Sequence, residues 1–96
     1  MALVPADPTP TTWEAWTRAL GVQLHRYRVD RGLTQEVLAQ LGGMTRTHYQ
    51  QIERGWWHRG TPSNPSLKVV VRLAQALDVE VGDLLPPTTA LTWPSD

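Results

Sequence analysis

The stretch LTQEVLAQLGGMTRTHYQQIERG, residues Leu33–Gly55, has the pattern of two short helices joined by a tight turn. Thr34 is placed to cap a first helix over Gln35–Leu41, because a threonine side chain can accept a hydrogen bond from the first helical turn. Gly42 and Gly43 then end that helix, since glycine adopts backbone conformations that other residues resist. At roughly two turns each, both helices need neighbours in order to be stable.

The second helix is predicted over Arg46–Arg54, with Thr45 as its cap and Gly55 at its end. Tyr49 and Ile52 share one side of this helix. The other side is polar and carries Arg46, Thr47, Gln50, Gln51 and Arg54. Arginine pairs with guanine, glutamine with adenine, and threonine offers a hydroxyl or a methyl group, so this side suits the base edges of DNA. An ordinary amphipathic surface helix has the same pattern, and the residues alone leave that alternative open.

A longer helix is predicted before this stretch, from near Thr12 to about Arg31. Thr11 followed by Glu14 matches the capping-box pattern at its start, and Gly32 closes it. Its apolar side chains recur at helical spacing: Trp13, Trp16, Leu20, Leu24 and Tyr27. Burial in the core is the favoured interpretation of the two tryptophans, with contact to a second subunit as the alternative.

Two further helices are predicted after this stretch. Residues 56–65 form a loop by composition, and Asn64 with Pro65 makes a good start for a fourth helix. The residues expected to be buried are Leu33, Val37, Leu38 and Leu41 around the second helix, and Leu67, Val70, Val71, Ala74 and Leu77 in the fourth. Val79, Leu84 and Leu85 are expected to form a short fifth helical turn. Pro86 and Pro87 end that turn. Because no strand alternation is evident, the sequence predicts an all-α fold, a compact bundle of five helices.

The chain divides into three predicted parts. Residues 1–11 hold three prolines among small polar residues and are expected to form a flexible N-terminal arm. Residues 12–86 form the helical domain, with the helix-turn-helix at 34–54. Residues 87–96 are expected to form a C-terminal tail.

Composition excludes several classes of protein. The 96 residues make one small domain, and without cysteine neither a disulfide framework nor a cysteine metal site can form. His25, His48 and His58 lie far apart and have no carboxylate at ligand spacing, so no metal or other cofactor is expected. No apolar run approaches the roughly 20 residues that span a bilayer, and the start lacks the basic and apolar regions of a signal peptide. These features predict a cytoplasmic protein that does not bind membranes.

Charge is distributed unevenly along the chain although the net charge is zero. All nine basic residues lie between Arg18 and Arg72, and the only acids there are Asp30, Glu36 and Glu53, so nine positive and three negative charges give this span +6. One basic face on a neutral molecule would suit nucleic acid, and a solvated mixture of charges is the alternative.

Leu33–Gly55 resembles the helix-turn-helix of the lambdoid phage repressor and Cro family, also called Xre-like. The stretch matches the family pattern without a gap. LGVQLHRYRVDRG resembles the family's first helix, and NPSLKVVVRLAQALDVEVGDLLP resembles its fourth and fifth helices. The resemblance covers about residues 20–86 and implies a DNA-binding domain of the lambda-repressor-like type.

The resemblance also implies roles for individual side chains. Those that match base-facing positions in the major groove are Arg46, Thr47, Gln50 and Gln51. Those that match phosphate-contacting positions, or lie in the loop that follows the DNA backbone, are Gln35, Thr45, Arg54, Arg59, Ser63 and Asn64. Arg28 and Glu53 match a salt bridge between the first and third helices, although without the resemblance both look like surface charges. Ala39 and Gly43 match the small residue between the paired helices and the turn glycine.

Three departures from the family pattern stand out. The loop after Gly55 is longer than in the family and carries Trp56 and Trp57, for which burial, contact with DNA and contact with a partner all remain open. Asp78 replaces the glycine that usually ends the fourth helix, and aspartate tolerates the left-handed conformation less well. Glu80 is a weaker cap than the family prefers. The C-terminal end is therefore expected to be soft in the monomer.

A second subunit is expected because one such domain buries about 600–1,000 Å² on DNA, which is small for specific binding. Contacts between subunits from the fifth helix, from the tail with Leu91 and Trp93, or from the aromatic start of the first helix all remain open.

The leading hypothesis is a sequence-specific transcriptional regulator of prokaryotic or phage origin, a homodimeric repressor that reads an inverted repeat in double-stranded DNA. An antitoxin and a restriction-modification controller, both with autoregulation, are alternatives within this class. A protein-interaction module that uses the Trp56/Trp57 loop, with a toxin or co-regulator as partner, is an alternative from another class. Base stacking on single-stranded nucleic acid is a minor one. An enzyme is not expected, because no Ser/His/Asp set, paired carboxylates or glycine-rich phosphate loop is evident.

Overall fold

The computed structural model describes residues 9–94, and this part of the chain forms five helices and one short hairpin. In chain order the elements are α1 (Trp13–Asp30), α2 (Gln35–Leu41), α3 (Arg46–Arg54), β1 (Trp56–His58), β2 (Thr61–Pro62), α4 (Leu67–Leu77) and α5 (Val81–Leu84). The five helices confirm the predicted all-α bundle, to which the hairpin is an addition. Residues 1–8 of the predicted arm lie outside the described range. None of the described helices is long and apolar enough to cross a membrane.

The helix-turn-helix has the bounds that the sequence predicts. The side-chain oxygens of Thr34 and Thr45 cap the two helices by accepting hydrogen bonds at 3.1 Å from the amides of Val37 and His48. Gly55 ends α3 with φ at 93°, a left-handed conformation that glycine adopts at little cost. Local sequence therefore determines both ends of this motif.

One apolar core joins all five helices. Its buried residues are Trp16, Leu20 and Leu24 of α1, Leu38 and Ala39 of α2, Tyr49 and Ile52 of α3, Val70, Leu73, Ala74 and Leu77 of α4, and Leu84 of α5. The prediction of burial was wrong for Val37, Leu41, Leu67 and Val71, which are exposed. With seven residues, α2 turns only one narrow side towards the core, and Leu67 in the first turn of α4 projects outward at 71% exposure.

α1 and α3 meet at backbone contact. Gly21 makes this approach possible, because a Cβ atom at this position would overlap the carbonyl oxygen of Glu53. The buried hydroxyl of Thr17 donates a hydrogen bond at 3.1 Å to the carbonyl oxygen of Gly55, just past the end of α3. α1 is therefore the platform on which the end of α3 is held.

The cap of α1 lies one residue later than predicted. Thr12 caps the helix, and its side chain accepts a hydrogen bond at 3.1 Å from the amide of Ala15. Thr11, the predicted cap, instead accepts two hydrogen bonds from Thr92 through its carbonyl oxygen.

The start of α4 also differs from the prediction. Asn64 and Pro65 precede the helix, which begins at Leu67 with Ser66 as its cap. The hydroxyl of Ser66 accepts a hydrogen bond at 3.2 Å from the amide of Val69, so this residue satisfies the first turn.

The loop predicted after α3 contains a hairpin, and in this respect the sequence-based prediction was wrong. Trp56 of β1 lies opposite Pro62 of β2, and His58 lies opposite Thr61. Gly60 adopts a left-handed conformation at the turn, with φ at 80°. Strands of two and three residues are too short to show an alternating pattern, so sequence periodicity could not indicate them.

The last described residues return to the start of α1. The indole N–H of Trp16 donates to the carbonyl oxygen of Pro86 at 3.2 Å. The amide and the hydroxyl of Thr92 donate to the carbonyl oxygen of Thr11 at 2.8 and 3.0 Å. Leu91 packs against the core. As far as residue 94, the segment predicted as a tail therefore lies against the domain.

α4 and α5 are joined by a residue in an unfavourable conformation. Asp78 ends α4 with φ at 56°, and among the described residues it alone combines a positive φ with a side chain. The amide of Glu80 donates to the carboxylate of Asp83 at 3.0 Å, which supports the first turn of α5. Leu84 is the buried residue of this four-residue helix.

Candidate nucleic-acid interface

α3 separates buried from accessible side chains. Tyr49 and Ile52 are fully buried against the core, whereas Arg46 and Thr47 are exposed on the outer side of the helix. Within the described part of the chain, neither Arg46 nor Thr47 makes a side-chain hydrogen bond or ion pair. Their donors and acceptors are therefore free for a ligand.

Gln50 connects this outer side to α2. Its Nε2 atom donates a hydrogen bond at 3.1 Å to Oε1 of Gln35, the first residue of α2. Each carboxamide keeps further capacity, since the oxygen of Gln50 and the amino group of Gln35 can still bond to a ligand. The two glutamines thus form one prearranged polar pair between the helices.

The far end of α3 is bound to the hairpin instead. Arg54 donates from Nε to the carbonyl oxygen of Trp56 at 3.0 Å and from Nη2 to that of Trp57 at 2.7 Å. Its guanidinium also lies 3.7 Å from the centre of the Trp56 ring. Gln51 donates to the same Trp57 carbonyl oxygen at 3.3 Å. Gln51 is thus turned towards the hairpin, while Arg54 keeps unused N–H groups for a phosphate.

The residues proposed for phosphate contact differ in accessibility. Thr45, Arg59 and Asn64 are exposed, and Gln35 is half-buried. Ser63 is fully buried, and its hydroxyl has no hydrogen-bond partner in the described structure. The structure therefore contradicts a phosphate contact by Ser63, whose amide instead bonds to the carbonyl oxygen of Gly55 at 2.9 Å and ties the hairpin to the end of α3.

Glu53 turns inward to Arg28. Nε and Nη2 of Arg28 each lie 2.9 Å from a different carboxylate oxygen, so the pair is bidentate. The side chains are 13% and 8% exposed, and His25 Nδ1 lies 2.8 Å from the same carboxylate. Arg28 also donates to the carbonyl oxygen of Leu33 at 2.8 Å. This cluster joins α1 to α3 and to the segment that leads into α2.

The helix-turn-helix family model HTH_3 matches residues 24–84, which is more than half of the chain. The chain belongs to the Xre-like helix-turn-helix family. An uncharacterised HTH-type transcriptional regulator, y4dJ of Sinorhizobium fredii, is 32% identical over 71 residues, covering 74% of this chain and 84% of y4dJ. This Xre-like protein is a helix-turn-helix transcriptional regulator.

Solved structures of related proteins have the same fold. The restriction-modification controller protein C.AhdI from Aeromonas hydrophila is 36% identical with a TM-score of 0.64, over 72% of this chain and 96% of C.AhdI. The hypothetical transcription factor NHTF from Neisseria is 29% identical with a TM-score of 0.66, over 90% of this chain and 92% of NHTF. The Xre-like fold therefore extends over nearly the whole length of C.AhdI and of NHTF.

The pair of Arg28 and Glu53, which joins α1 to α3, is held in its charged form by the surrounding hydrogen bonds. Burial alone would raise the pKa of Glu53, but hydrogen bonds, chiefly from Arg28, lower it to about 2. The same hydrogen bonding raises the pKa of Arg28. Burial raises the pKa of Tyr49, whose hydroxyl has no hydrogen-bond partner in the described structure. Both partners of the pair are consequently charged at neutral pH.

Three residues that support the candidate interface, namely Gly21, His25 and His48, were not predicted from the sequence. Gly21 was visible only as a glycine inside a helical pattern, which indicates a packing role in general terms. His25 lies three residues before Arg28, a spacing that places both on one side of α1. His48 packs its ring 5.6 Å from that of Trp57, and nothing in the local sequence indicates this contact.

Proposed function

We propose that this regulator is a homodimeric repressor that reads an inverted repeat of double-stranded DNA with α3 in the major groove. The outer side of α3 is the observation that carries the proposal. There Arg46 and Thr47 are exposed and unbonded beside the Gln50–Gln35 pair, while the opposite side of the helix is buried. A helix presented in this way can enter the groove without rearrangement of the core.

Base recognition is assigned mainly to the first half of α3. The planar guanidinium of Arg46 matches O6 and N7 of guanine, a pairing that discriminates by about 1–3 kcal/mol. Thr47 supplies a hydroxyl and a methyl group, and Gln50 supplies the free oxygen of its carboxamide. Gln51 reaches bases only by releasing the carbonyl oxygen of Trp57, so we rank it below the other three.

Phosphate contact is assigned to groups around this helix. Gln35, Thr45, Arg59 and Asn64 are accessible, and Arg54 has unused N–H groups. Such contacts position the protein and make its affinity fall steeply with salt, because bound counterions are released. By occupying a promoter or its own operator, the protein would block polymerase. The proposal needs no cofactor and no catalytic step, and it places the protein in the cytoplasm.

A restriction-modification controller with autoregulation is the second candidate function. The similarity to C.AhdI, at 36% identity over 72% of this chain, favours it. A controller of its own gene would have its recognition sequence immediately upstream of its coding sequence. Finding the selected sequence only at other genes would argue against this candidate while leaving the repressor proposal intact.

The hypothesis of a protein-interaction module based on Trp56 and Trp57 receives less support. Trp56 is covered on one side by the guanidinium of Arg54, and the Trp57 ring lies against His48 and the core. Both rings are thereby used within the molecule.

Selection of bound DNA from a random duplex pool tests the proposed function. We expect a two-fold symmetric sequence whose half-sites lie about 34–36 Å apart, one helical turn of DNA. Gln75→Ala, at an exposed position of α4, is the control and should select the same sequence. If no sequence is enriched even at low salt, the proposed function is wrong.

A further inference from the structure

Two consecutive glutamines of α3 are bonded to different neighbours. Gln50 donates a hydrogen bond to Gln35 of α2, whereas Gln51 donates from Nε2 to the carbonyl oxygen of Trp57 in β1 at 3.3 Å. Both glutamines are half-buried, so they differ in their partner and not in their depth. α3 therefore lies between α2 and the hairpin, and each of these elements holds one glutamine.

The carbonyl oxygen of Trp57 serves two side chains of α3 at once. Besides the bond from Gln51, it accepts a hydrogen bond at 2.7 Å from Nη2 of Arg54, whose Nε donates to the carbonyl oxygen of Trp56 at 3.0 Å. Two of the five N–H groups of Arg54 are used in this way, and three are left for a phosphate. The hairpin thus positions the guanidinium of Arg54 and turns Gln51 aside with the same oxygen.

The position of this oxygen depends on the ring of Trp57. The ring packs against the core and lies 5.6 Å from the ring of His48 on α3. The second strand is fixed separately, because the amide of Ser63 donates at 2.9 Å to the carbonyl oxygen of Gly55, which also accepts a hydrogen bond from the hydroxyl of Thr17. Loss of the Trp57 ring should therefore loosen β1 while the end of α3 stays in place.

Gln51 would stand beside a base if the hairpin released it. It follows Thr47 by four residues, so the two lie on the same side of α3. A glutamine recognises adenine with its carboxamide oxygen and its amino group together. While Nε2 stays bonded to Trp57, the carboxamide does not turn both groups to one base. In the structure as it stands, the base pair nearest Gln51 is left without this contact.

We propose that Trp57 is a specificity-determining residue that touches no base. Its carbonyl oxygen keeps Gln51 away from the major groove and holds Arg54 in position for a phosphate. The inference rests on the proposed function, because Gln51 has a base beside it only when α3 lies in the groove. Release of Gln51 should add a preference for adenine at one base pair.

The affinities of the wild type and Trp57→Ala for every single-base-pair variant of the selected half-site test the proposal. We expect Trp57→Ala to gain a preference of about tenfold for adenine at one base pair at which the wild type discriminates little. The double variant Trp57→Ala/Gln51→Ala should lack this added preference. The three proteins together assign the preference to the released glutamine.

Trp56→Ala is the matched control, because it removes the neighbouring tryptophan of the same strand. The ring of Trp56 is 41% exposed and lies against Arg54, whereas the ring of Trp57 packs against the core. Trp56→Ala should therefore weaken binding to all variants of the half-site alike and add no preference.

Folding of the variants is verified by circular dichroism, since Trp57→Ala removes a contact with the core. His48→Ala tests the same ring contact from the side of α3 and leaves the tryptophan in place. We expect it to add the same adenine preference with a smaller size. It also provides the test if Trp57→Ala does not fold.

Two results would overturn the proposal. If Trp57→Ala and His48→Ala weaken binding to all variants alike, as Trp56→Ala should, Trp57 supports the hairpin without affecting base preference. If the added preference persists in the double variant, a side chain other than Gln51 reads that base pair.

An NMR measurement without DNA separates this proposal from the proposed function. In the wild type, the side-chain amide protons of Gln51 should exchange with solvent more slowly than those of Gln40, which is exposed on α2, and Trp57→Ala should abolish the difference. Equal exchange in the wild type would overturn the role of Trp57 even if DNA is bound. If the difference is found but the wild type binds no sequence, the contact stands, and the proposed function fails together with the specificity role.

Discussion

The contact between α1 and α3 and the junction between α4 and α5 stabilise the fold in different ways. At the first, helices meet backbone to backbone at Gly21, and the buried pair of Arg28 and Glu53 is bidentate. At the second, Asp78 holds a left-handed conformation and leads into a helix of four residues. The first contact is closely packed and held by a bidentate ion pair, whereas the second depends on a strained residue and on Leu84, the buried residue of α5.

The difference indicates where positional accuracy matters in this molecule. The α1–α3 contact fixes the helix that we assign to base recognition. Stability is therefore concentrated behind the helix that we assign to base recognition.

Glu53→Ala is expected to have the largest effect, because it leaves the Arg28 guanidinium buried without its partner. We expect the free energy of unfolding to fall by about 3–5 kcal/mol, measured by urea denaturation. Glu36→Ala, at an exposed carboxylate on α2, is the control and should change stability by less than about 0.5 kcal/mol. If the two substitutions lowered the free energy of unfolding equally, Glu53 at the α1–α3 contact would stabilise the fold no more than an exposed carboxylate does.

Acid should weaken the same contact. The pKa of Glu53 falls from 4.5 to about 2 on folding, so its charged form favours the folded state. This contribution is complete above about pH 4.5, is lost as the pH falls towards 2, and amounts to about 3 kcal/mol. Urea denaturation at a series of pH values should show this loss in the wild type and a flatter profile in Glu53→Gln. Identical profiles would contradict the assignment.

Gly21→Ala tests the close approach of the two helices. The added methyl group meets the backbone of Glu53, which cannot move away as a flexible side chain could, so we expect a loss of about 1–3 kcal/mol. Gly82→Ala is the matched control in α5, where nothing lies near the added atom. It should raise stability by up to about 1 kcal/mol through helix propensity. Thermal denaturation of both variants would refute the account if Gly21→Ala were the more stable.

Asp78→Gly tests the junction between α4 and α5 and should have the smallest effect on stability. Relief of the left-handed conformation is expected to add about 0.5–1 kcal/mol to the free energy of unfolding. Gln75→Gly, within α4, provides the control, because glycine there should cost about 1 kcal/mol. A loss of stability in Asp78→Gly would show that this junction is not strained.

Much of the fold followed from local sequence. The ends of α2 and α3 are set by Thr34, Thr45 and Gly55, whose capping chemistry depends on near neighbours alone. The hairpin was missed because two strands of two and three residues carry no periodicity. Trp56 lies against the guanidinium of Arg54 and Trp57 packs on the ring of His48. Both contacts form only in the folded chain.

The candidate site was predicted in part. The exposed positions of Arg46 and Thr47 follow from helical spacing. The burial of Ser63 and the turn of Gln51 towards the hairpin do not, because both depend on how the residues after α3 fold back on its end. That Glu53 turns inward was implied by the family resemblance and not by its own neighbours.

The most direct test of the central claim is the affinity of the wild type and Arg46→Ala for every single-base-pair variant of the selected half-site. We predict that Arg46→Ala loses discrimination at one base pair, a guanine contact worth about 1–3 kcal/mol, and keeps the wild-type preference at the others. Arg46→Lys, which keeps the charge but not the planar fork, should show the same loss of discrimination with a smaller loss of affinity. Uniform weakening on all variants, or no change, would contradict base recognition by α3.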